Sequence, residues 1–207
     1  MASREIPSFD ARALFSDLAI VGSSSTLLGS DLGPEIDQHI GVVRFNRAPT
    51  AGFETDVGTK TALRVLNWHT FNCIPSDPPN DDDMFASKLT DSTLCVFPWY
   101  YWFPTDLANY PLIHPSNTVY RLPPAILDPD NPCSPSLTSG LAFVQACVSA
   151  GIVPHLFGFD LGQTPSSRRH YWSSLDIPPS ICHNYAGEAK ALTALAAEGL
   201  IVLRGST

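Results

Sequence analysis

Residues 18–26 read LAIVGSSST: four apolar side chains, Leu18, Ala19, Ile20 and Val21, run into Gly22 and then into the hydroxyl cluster Ser23, Ser24, Ser25 and Thr26. An apolar run this short, closed by small polar residues, reads as a buried strand entering a loop. Next, GPEIDQH (33–39) opens a helical stretch with Pro34 near a first-turn position, and VVRF (42–45) returns as a second strand. Strand, helix, strand is the repeating unit of a parallel sheet, because two parallel strands need a crossover between them.

Outward from that unit, ALRVLNW (62–68) is a third strand candidate. Thr138 and Ser139 can cap a helix running to about Ala150, and VPHLFGF (153–159) follows as a strand. The stretch GEAKALTALAAEG (187–199) is rich in strong helix formers and stops at a glycine, after which LIVLR (200–204) reads as the last strand. The alternation predicts an α/β domain with a largely parallel central sheet flanked by helices, binding its ligands beyond the carboxyl ends of the strands. CIPSDPPNDDD (73–83) has no periodicity and reads as a surface loop. Residues 96–135 combine many prolines with aromatics such as Trp99, Tyr100, Tyr101, Trp102 and Phe103, and are expected to be ordered but irregular.

With 207 residues and 44% apolar content, the chain has material for one domain, not two of full size. The expected division is a lead-in over 1–17 and one catalytic-size domain over 18–207. Twelve basic against 20 acidic side chains give a formal charge of −8 with no basic stripe, which argues against a nucleic-acid partner. The first 20 residues carry Glu5, Asp10, Arg12 and Asp17 and no run near the roughly 20 apolar residues of a membrane span, so no signal or anchor is read there. Cys73, Cys95, Cys133, Cys147 and Cys182 are odd in number and form no CxxC pair, which argues against a zinc site. No Asn-x-Ser/Thr acceptor occurs.

Three places have the chemistry to hold a charged ligand. Around Ser23, Ser24, Ser25 and Thr26, small residues after a strand let backbone amides approach an anion, and the same residues also suit a plain polar turn. At Thr138, Ser139 and Gly140, hydroxyls, free amides and the helix dipole favour phosphate or carboxylate, though an ordinary N-cap needs no more than this. The third is His170 and His183 with Tyr171 and Glu188, a set of acid, base and hydrogen-bond donors whose members equally serve as structural residues. The run Asp81-Asp82-Asp83 lacks a preceding apolar strand and reads as solvated charge, not as metal ligands.

Taken together, these stretches resemble the four sialyl motifs of the sialyltransferases, glycosyltransferase family 29. Ala19-Ile20-Val21-Gly22-Ser23-Ser24, Leu27-Leu28-Gly29-Ser30, Leu32-Gly33-Pro34-Glu35-Ile36-Asp37, Arg44-Phe45-Asn46-Arg47-Ala48-Pro49-Thr50 and Asp56-Val57-Gly58-Thr59-Lys60-Thr61 are similar to the long donor-binding motif. Thr138-Ser139-Gly140 with Phe157-Gly158-Phe159 resembles the short motif, His170-Tyr171-Trp172 the third, and His183 with Glu188 the very short one.

That resemblance implies a single-domain, GT-A-like (Rossmann-like) α/β variant and inverting transfer of a sialic acid from a CMP-linked donor to a glycan hydroxyl, with no metal or other cofactor. Another CMP-sugar acid such as CMP-Kdo, and a non-catalytic nucleotide-sugar-binding homologue, are the alternatives. It implies that Ser23, Ser24, Ser25, Thr26 and Asn46 line the CMP pocket, and that Thr138, Ser139 and Gly140 contact the ribose, phosphate or carboxylate of the donor. His170 and Tyr171 would steady the phosphate, His183 would be the general base, and Glu188 would hold the start of the last helix. A departing phosphate already delocalises its charge, so hydrogen-bond donors and a helix N-terminus suffice to stabilise it. The resemblance also implies a Golgi-lumen setting. Against it, no anchor is visible in the chain, and Leu18 and Gly151 stand at the positions aligned with the family's bridging cysteines. The acceptor sugar, the linkage and the oligomeric state stay open.

Overall fold

A computed structural model of the chain describes residues 7–67, 93–96, 117–122, 137–161, 170–173 and 183–205, with 93–96 described by backbone alone. Seven strands form one sheet: β1 (Leu18–Val21), β2 (Gly41–Phe45), β3 (Leu63–Leu66), β4 (Thr93–Val96), β5 (Thr118–Arg121), β6 (His155–Phe157) and β7 (Val202–Arg204). Their order is β5-β4-β3-β2-β1-β6-β7, and every neighbouring pair is parallel. The chain winds outward from β1 to β5 and then returns to the opposite side of β1, so the winding reverses between β1 and β6. In open parallel sheets such a reversal leaves a crevice beyond the carboxyl ends of the two strands.

Both faces of the sheet are covered, which is why its central strands are buried throughout and mostly apolar. Leu18 and Ile20 of β1 point into one core with Val43, Phe45, Leu63 and Val65, roofed by Leu141, Phe143 and Val144 of helix α4 (Ser139–Ser149) and Leu192 of α5 (Tyr185–Ala197). Ala19 and Val21 point the other way, against Leu27, Ile36 and Val57, which come from a 3₁₀ turn (Ser25–Leu27) and the single-turn helices α2 (Gly33–Ile36) and α3 (Glu54–Val57). Each such aliphatic side chain, fully buried, contributes about 1.5–3 kcal/mol of transfer free energy. The close approach of β1 to β6 needs glycine at position 22, where any side chain would strike the carbonyl of Gly158. Helix α5 ends as its composition predicts: Gly199 adopts φ +70, its amide bonds Ala196 O at 3.0 Å and Leu200 N bonds Leu195 O at 2.9 Å, closing the helix in a Schellman turn.

Several elements differ from the sequence reading. Residues 93–96 and 118–121 extend the parallel sheet by two strands, and the second of these lies inside the region expected to be irregular. The lead-in is not separate: single-turn helix α1 (Ala11–Leu14) is capped by Asp10, Phe9 and Ala11 are buried in the core, and Ser8 bridges to Arg121. The helix expected over 33–39 stops at Ile36, because Asp37 turns its carboxylate to the amides of Thr59 and Lys60. Helix α5 begins at Tyr185, two residues early, since Asn184 Oδ1 caps it by accepting from Gly187 N at 3.0 Å. The loop over 73–83, the run Asp81-Asp82-Asp83 and the cysteines Cys73, Cys133 and Cys182 lie outside the described residues. Leu18 is fully buried at the start of β1, and Gly151 follows α4 at φ +77. Cys147 is a buried free thiol that burial pushes up to about 12, and is inert on that account.

At the amino end of the sheet, His39 Nδ1 bonds Asp17 Oδ1 at 2.7 Å, and the His39 ring meets the His155 ring edge-on at 4.7 Å. Burial, then the charges of His39 and Arg204, lower the pKa of His155 against the opposing pull of Asp17 and Glu35. A histidine whose folded pKa lies below its unfolded value of about 6.5 stays neutral in the fold, so the unfolded chain binds the proton first. Stability is therefore complete above about 6.5 and is lost as pH falls toward the folded value. Thermal unfolding of the wild type should show this decline between pH 7.5 and 5.5, and His155→Leu should flatten it. An identical pH slope in both proteins would place the titrating group elsewhere.

Candidate active site

The loop after β1 is built on its neighbour strand. Gly22 N bonds Phe157 O at 2.7 Å and Ser24 N bonds Gly158 O at 3.2 Å, so the ends of β1 and β6 are tied together at the reversal. Ser24 is buried, and its Oγ accepts from Thr26 N at 3.2 Å and Thr26 Oγ1 at 3.0 Å, capping the 3₁₀ turn that Leu27 anchors in the core. Ser23 and Ser25 are half-buried and Thr26 is exposed. Beside this loop opens a cleft of about 450 Å³ lined by Thr26, Ser30, Phe159, Asp160 and Arg204 among others. It lies at the carboxyl ends of β1, β6 and β7, the place the topology assigns to ligands. Arg204 on its wall pairs with Glu35 at 3.3 Å, both part-exposed.

Asn46, at the end of β2, is held from three sides. Its backbone adopts φ +46, in the left-handed region that asparagine tolerates better than most residues. Its amide donates to Val65 O at 2.8 Å, its carbonyl accepts from Arg64 Nη1 at 3.0 Å, and its Oδ1 accepts from Asn67 N at 2.9 Å. The side chain is thereby oriented with its Nδ2 as the remaining donor. Arg64, buried and bonded also to Ala48 O at 3.1 Å, was not singled out by sequence, because its role depends on loop carbonyls distant along the chain.

Much of the long motif-like stretch is scaffold. Asp56 accepts from Gly29 N at 2.9 Å and Asp31 N at 3.1 Å, folding the end of the β1 loop onto α3. Asp37 accepts from Thr59 N, Thr59 Oγ1 and Lys60 N, each at 2.9 Å. Burial works to raise the Asp37 pKa, but the bonds from Lys60 and Thr59 and the charge of Arg44 outweigh it and hold the carboxyl below its usual range. Arg44 is fully buried, with Nη2 on Val57 O at 2.7 Å and Lys60 O at 3.0 Å, and Nε on Thr61 Oγ1 at 3.1 Å. Among the described residues these charges serve loop backbones, and no group of three or more His, Cys, Asp or Glu has the arrangement to hold a metal ion.

Thr138 caps α4 through Oγ1, which accepts from Leu141 N at 3.2 Å. Its own two donors are taken by one carboxylate: Thr138 N reaches Glu188 Oε1 and Thr138 Oγ1 reaches Glu188 Oε2, both at 2.6 Å. Ser139 and Gly140 fill the first turn of α4, where backbone amides have no partner within the helix. Glu188 therefore holds the start of α4 as well as its own helix. Since it sits in the first turn of α5, it places His183, the residue before the helix's Asn184 cap, at the same edge of the sheet. His183 is half-buried and lies edge-on to Tyr185, with ring centroids 5.6 Å apart.

His170 stacks on Trp172 at 4.5 Å and 14°. Tyr171 is 1% exposed, its hydroxyl donates to Pro49 O, and its amide donates to Ser23 O at 2.9 Å. A direct leaving-group contact through this phenol would require breaking the Pro49 bond. The loops after β1 and β2, the start of α4 and the segments at His170 and His183 thus border one edge of a parallel sheet. In open parallel sheets ligands sit at such a reversal, and helix starts there suit anions.

Comparison with known proteins narrows that class. Residues 11–87 match the family model "Glycosyltransferase family 29 (sialyltransferase)", which spans the long motif-like stretch, whereas the other three stretches lie beyond it. The chain is 38% identical over 117 residues to beta-galactoside alpha-2,6-sialyltransferase 2 of Danio rerio, covering 51% of this chain and 22% of that protein. It is 57% identical over 49 residues to beta-galactoside alpha-2,6-sialyltransferase 1 of Homo sapiens, covering 24% of this chain and 12% of that one. These matches therefore span about a fifth or less of the length of the relatives. The crystal structure of a mammalian sialyltransferase superposes with a TM-score of 0.67 at 21% identity, covering 96% of this chain and 72% of that one. A mammalian sialyltransferase in complex with Gal-beta-1-3GalNAc-ortho-nitrophenol gives a TM-score of 0.65 over 93% and 70% of the two chains. Both show that the α/β fold with a parallel central sheet is shared.

Proposed function

We propose that this chain is the catalytic domain of a sialyltransferase that moves a sialic acid from a CMP-linked donor to a glycan hydroxyl. The observation that carries the reading is convergence. A chain whose 11–87 segment matches the sialyltransferase family model has a fold shared with sialyltransferase structures, and its β1 loop, which resembles the long sialyl motif, lines a cleft at the reversal of the sheet. The finer fold reading is a single-domain GT-A-like (Rossmann-like) variant. The relatives, beta-galactoside alpha-2,6-sialyltransferases, favour sialic acid over Kdo and suggest a β-galactoside acceptor, and the same likeness suggests a Golgi setting.

In this reading the β1 loop at Ser23, Ser24, Ser25 and Thr26 and the Asn46 amide border the CMP part of the donor. The amides of Ser139 and Gly140 face its charged groups, and Thr138 supports them through Glu188. The bond between the anomeric carbon and the phosphate oxygen breaks, with its electron pair leaving on the phosphate. The acceptor oxygen bonds the opposite face of that carbon, which inverts the centre. His183 takes the acceptor proton, as a neutral imidazole is suited to do. His170 and the first turn of α4 offer donors toward the phosphate.

Isothermal titration with CMP tests the binding half. The unmodified protein should bind CMP, and Asn46→Ala should weaken it by about tenfold or more, the effect of losing a preorganised donor to a polar ligand. Equal affinities would sink the Asn46 assignment. For turnover, CMP release from CMP-Neu5Ac with a β-galactoside acceptor should persist in EDTA. Loss with chelator and rescue by Mn²⁺ would decide for a metal-dependent enzyme, and turnover of CMP-Kdo alone would decide for the other sugar acid.

A further inference from the structure

We propose that Tyr171 is a positioning residue that joins the loops after β1 and β2 and thereby sets Asn46, an inference that rests on the sialyltransferase reading. Its amide is bonded to Ser23 O, in the loop after β1, and its hydroxyl to Pro49 O, in the loop after β2. The ring between these two bonds is buried in the core under the sheet, edge-on to Phe53 at 5.1 Å, and in one cluster with Val21, Leu27, Ala48 and Val57. A buried phenol without a partner is costly, so the hydroxyl and the Pro49 carbonyl hold each other in place.

Pro49 is three residues beyond Asn46, whose left-handed backbone is secured on its other sides by Arg64, Val65 and Asn67. Pro49 N has no proton to give, so the backbone there is fastened through its carbonyl. Tyr171 supplies that fastening and transmits the position of the β1 loop to the loop carrying Asn46. The neighbouring His170, stacked on Trp172, is fixed by the same anchor.

Tyr171→Phe removes the Pro49 bond while keeping the ring and the amide bond to Ser23 O. In the ligand-free protein, hydrogen exchange should quicken at the bonded amides of Asn46 and Ala48 and stay unchanged in α4. CMP affinity should fall about five- to tenfold, the effect of one buried hydrogen bond. The double variant Tyr171→Phe, Asn46→Ala should bind no more weakly than Asn46→Ala alone, since both changes act through the same contact. Independent, additive losses would show that the phenol meets the ligand itself, and unchanged affinity or exchange confined to α4 would equally overturn the proposal. If the unmodified protein fails to bind CMP, the functional reading falls and takes this inference with it, whereas intact binding in Tyr171→Phe overturns the inference alone.

Discussion

Replacing His183 by alanine is expected to lower turnover by about 10²–10⁴-fold while leaving CMP affinity nearly unchanged. A sugar hydroxyl is a weak nucleophile at neutral pH, so a positioned base acts on the transition state and not on the bound donor. The proposed function separates the two jobs: it gives the donor's charged groups to the β1 loop, Asn46 and the first turn of α4, whereas His183 stands ahead of α5. Activity should also decline as low pH protonates the imidazole, because only its neutral form accepts a proton. His170→Ala is the matched control: stacked on Trp172 and next to the Tyr171 anchor, it should weaken donor binding more than it slows a saturated enzyme. A His183→Ala protein that keeps most of its turnover, beside a His170→Ala protein that loses it, would move the base to His170.

The central strands were legible because a parallel strand buried on both faces is mostly apolar, as LAIV is throughout and VVRF is apart from Arg44. The two strands at the β5 end of the sheet were not. TLCV and TVYR are four residues each, the second stands between Pro115 and Pro123, and what makes them strands is pairing with β3 and with each other. The turns α1, α2 and α3 fall below the length at which helix propensity decides anything, so their limits are set by contacts such as Asp10 on Arg12 N and Asp37 on Thr59 N.

For the site, local chemistry was readable and distant chemistry was not. A cap at Thr138 and a small-residue loop after β1 follow from neighbours in sequence. That Thr138 would give both its donors to a carboxylate 50 positions away, or Tyr171 its hydroxyl to a carbonyl 122 positions away, has no local signature. The same holds for Arg44 and Arg64. An arginine in a strand is expected on an exposed face, yet these two are buried because adjacent loops present carbonyls to their guanidinium groups.

Glu188→Ala should lower stability by about 2–4 kcal/mol at neutral pH and weaken CMP binding along with it. Two short bonds to the Thr138 amide and hydroxyl are lost, leaving two donors at the start of α4 without their partner, and the first turn of α5 is no longer tied to that helix. For a domain of this size each kcal/mol is about 2–4 °C in Tm, so the melting point should fall by roughly 5–15 °C. Glu188→Gln should lie between, because an amide keeps one acceptor oxygen and loses the other. The pH dependence carries a definite sign. Burial raises the Glu188 pKa above 4.5 against the lowering effect of both Thr138 bonds, so the folded protein holds this proton more tightly than the unfolded chain. The stabilisation from the protonated form is complete below about 4.5 and is lost as pH rises through the folded value. The stability gap between wild type and Glu188→Ala should therefore be widest in acid and narrow toward neutral pH. Denaturant titrations of both proteins at several pH values measure that gap directly, and a gap that widens with rising pH would mean the folded site prefers the ionised carboxylate, as its two hydrogen bonds alone would dictate.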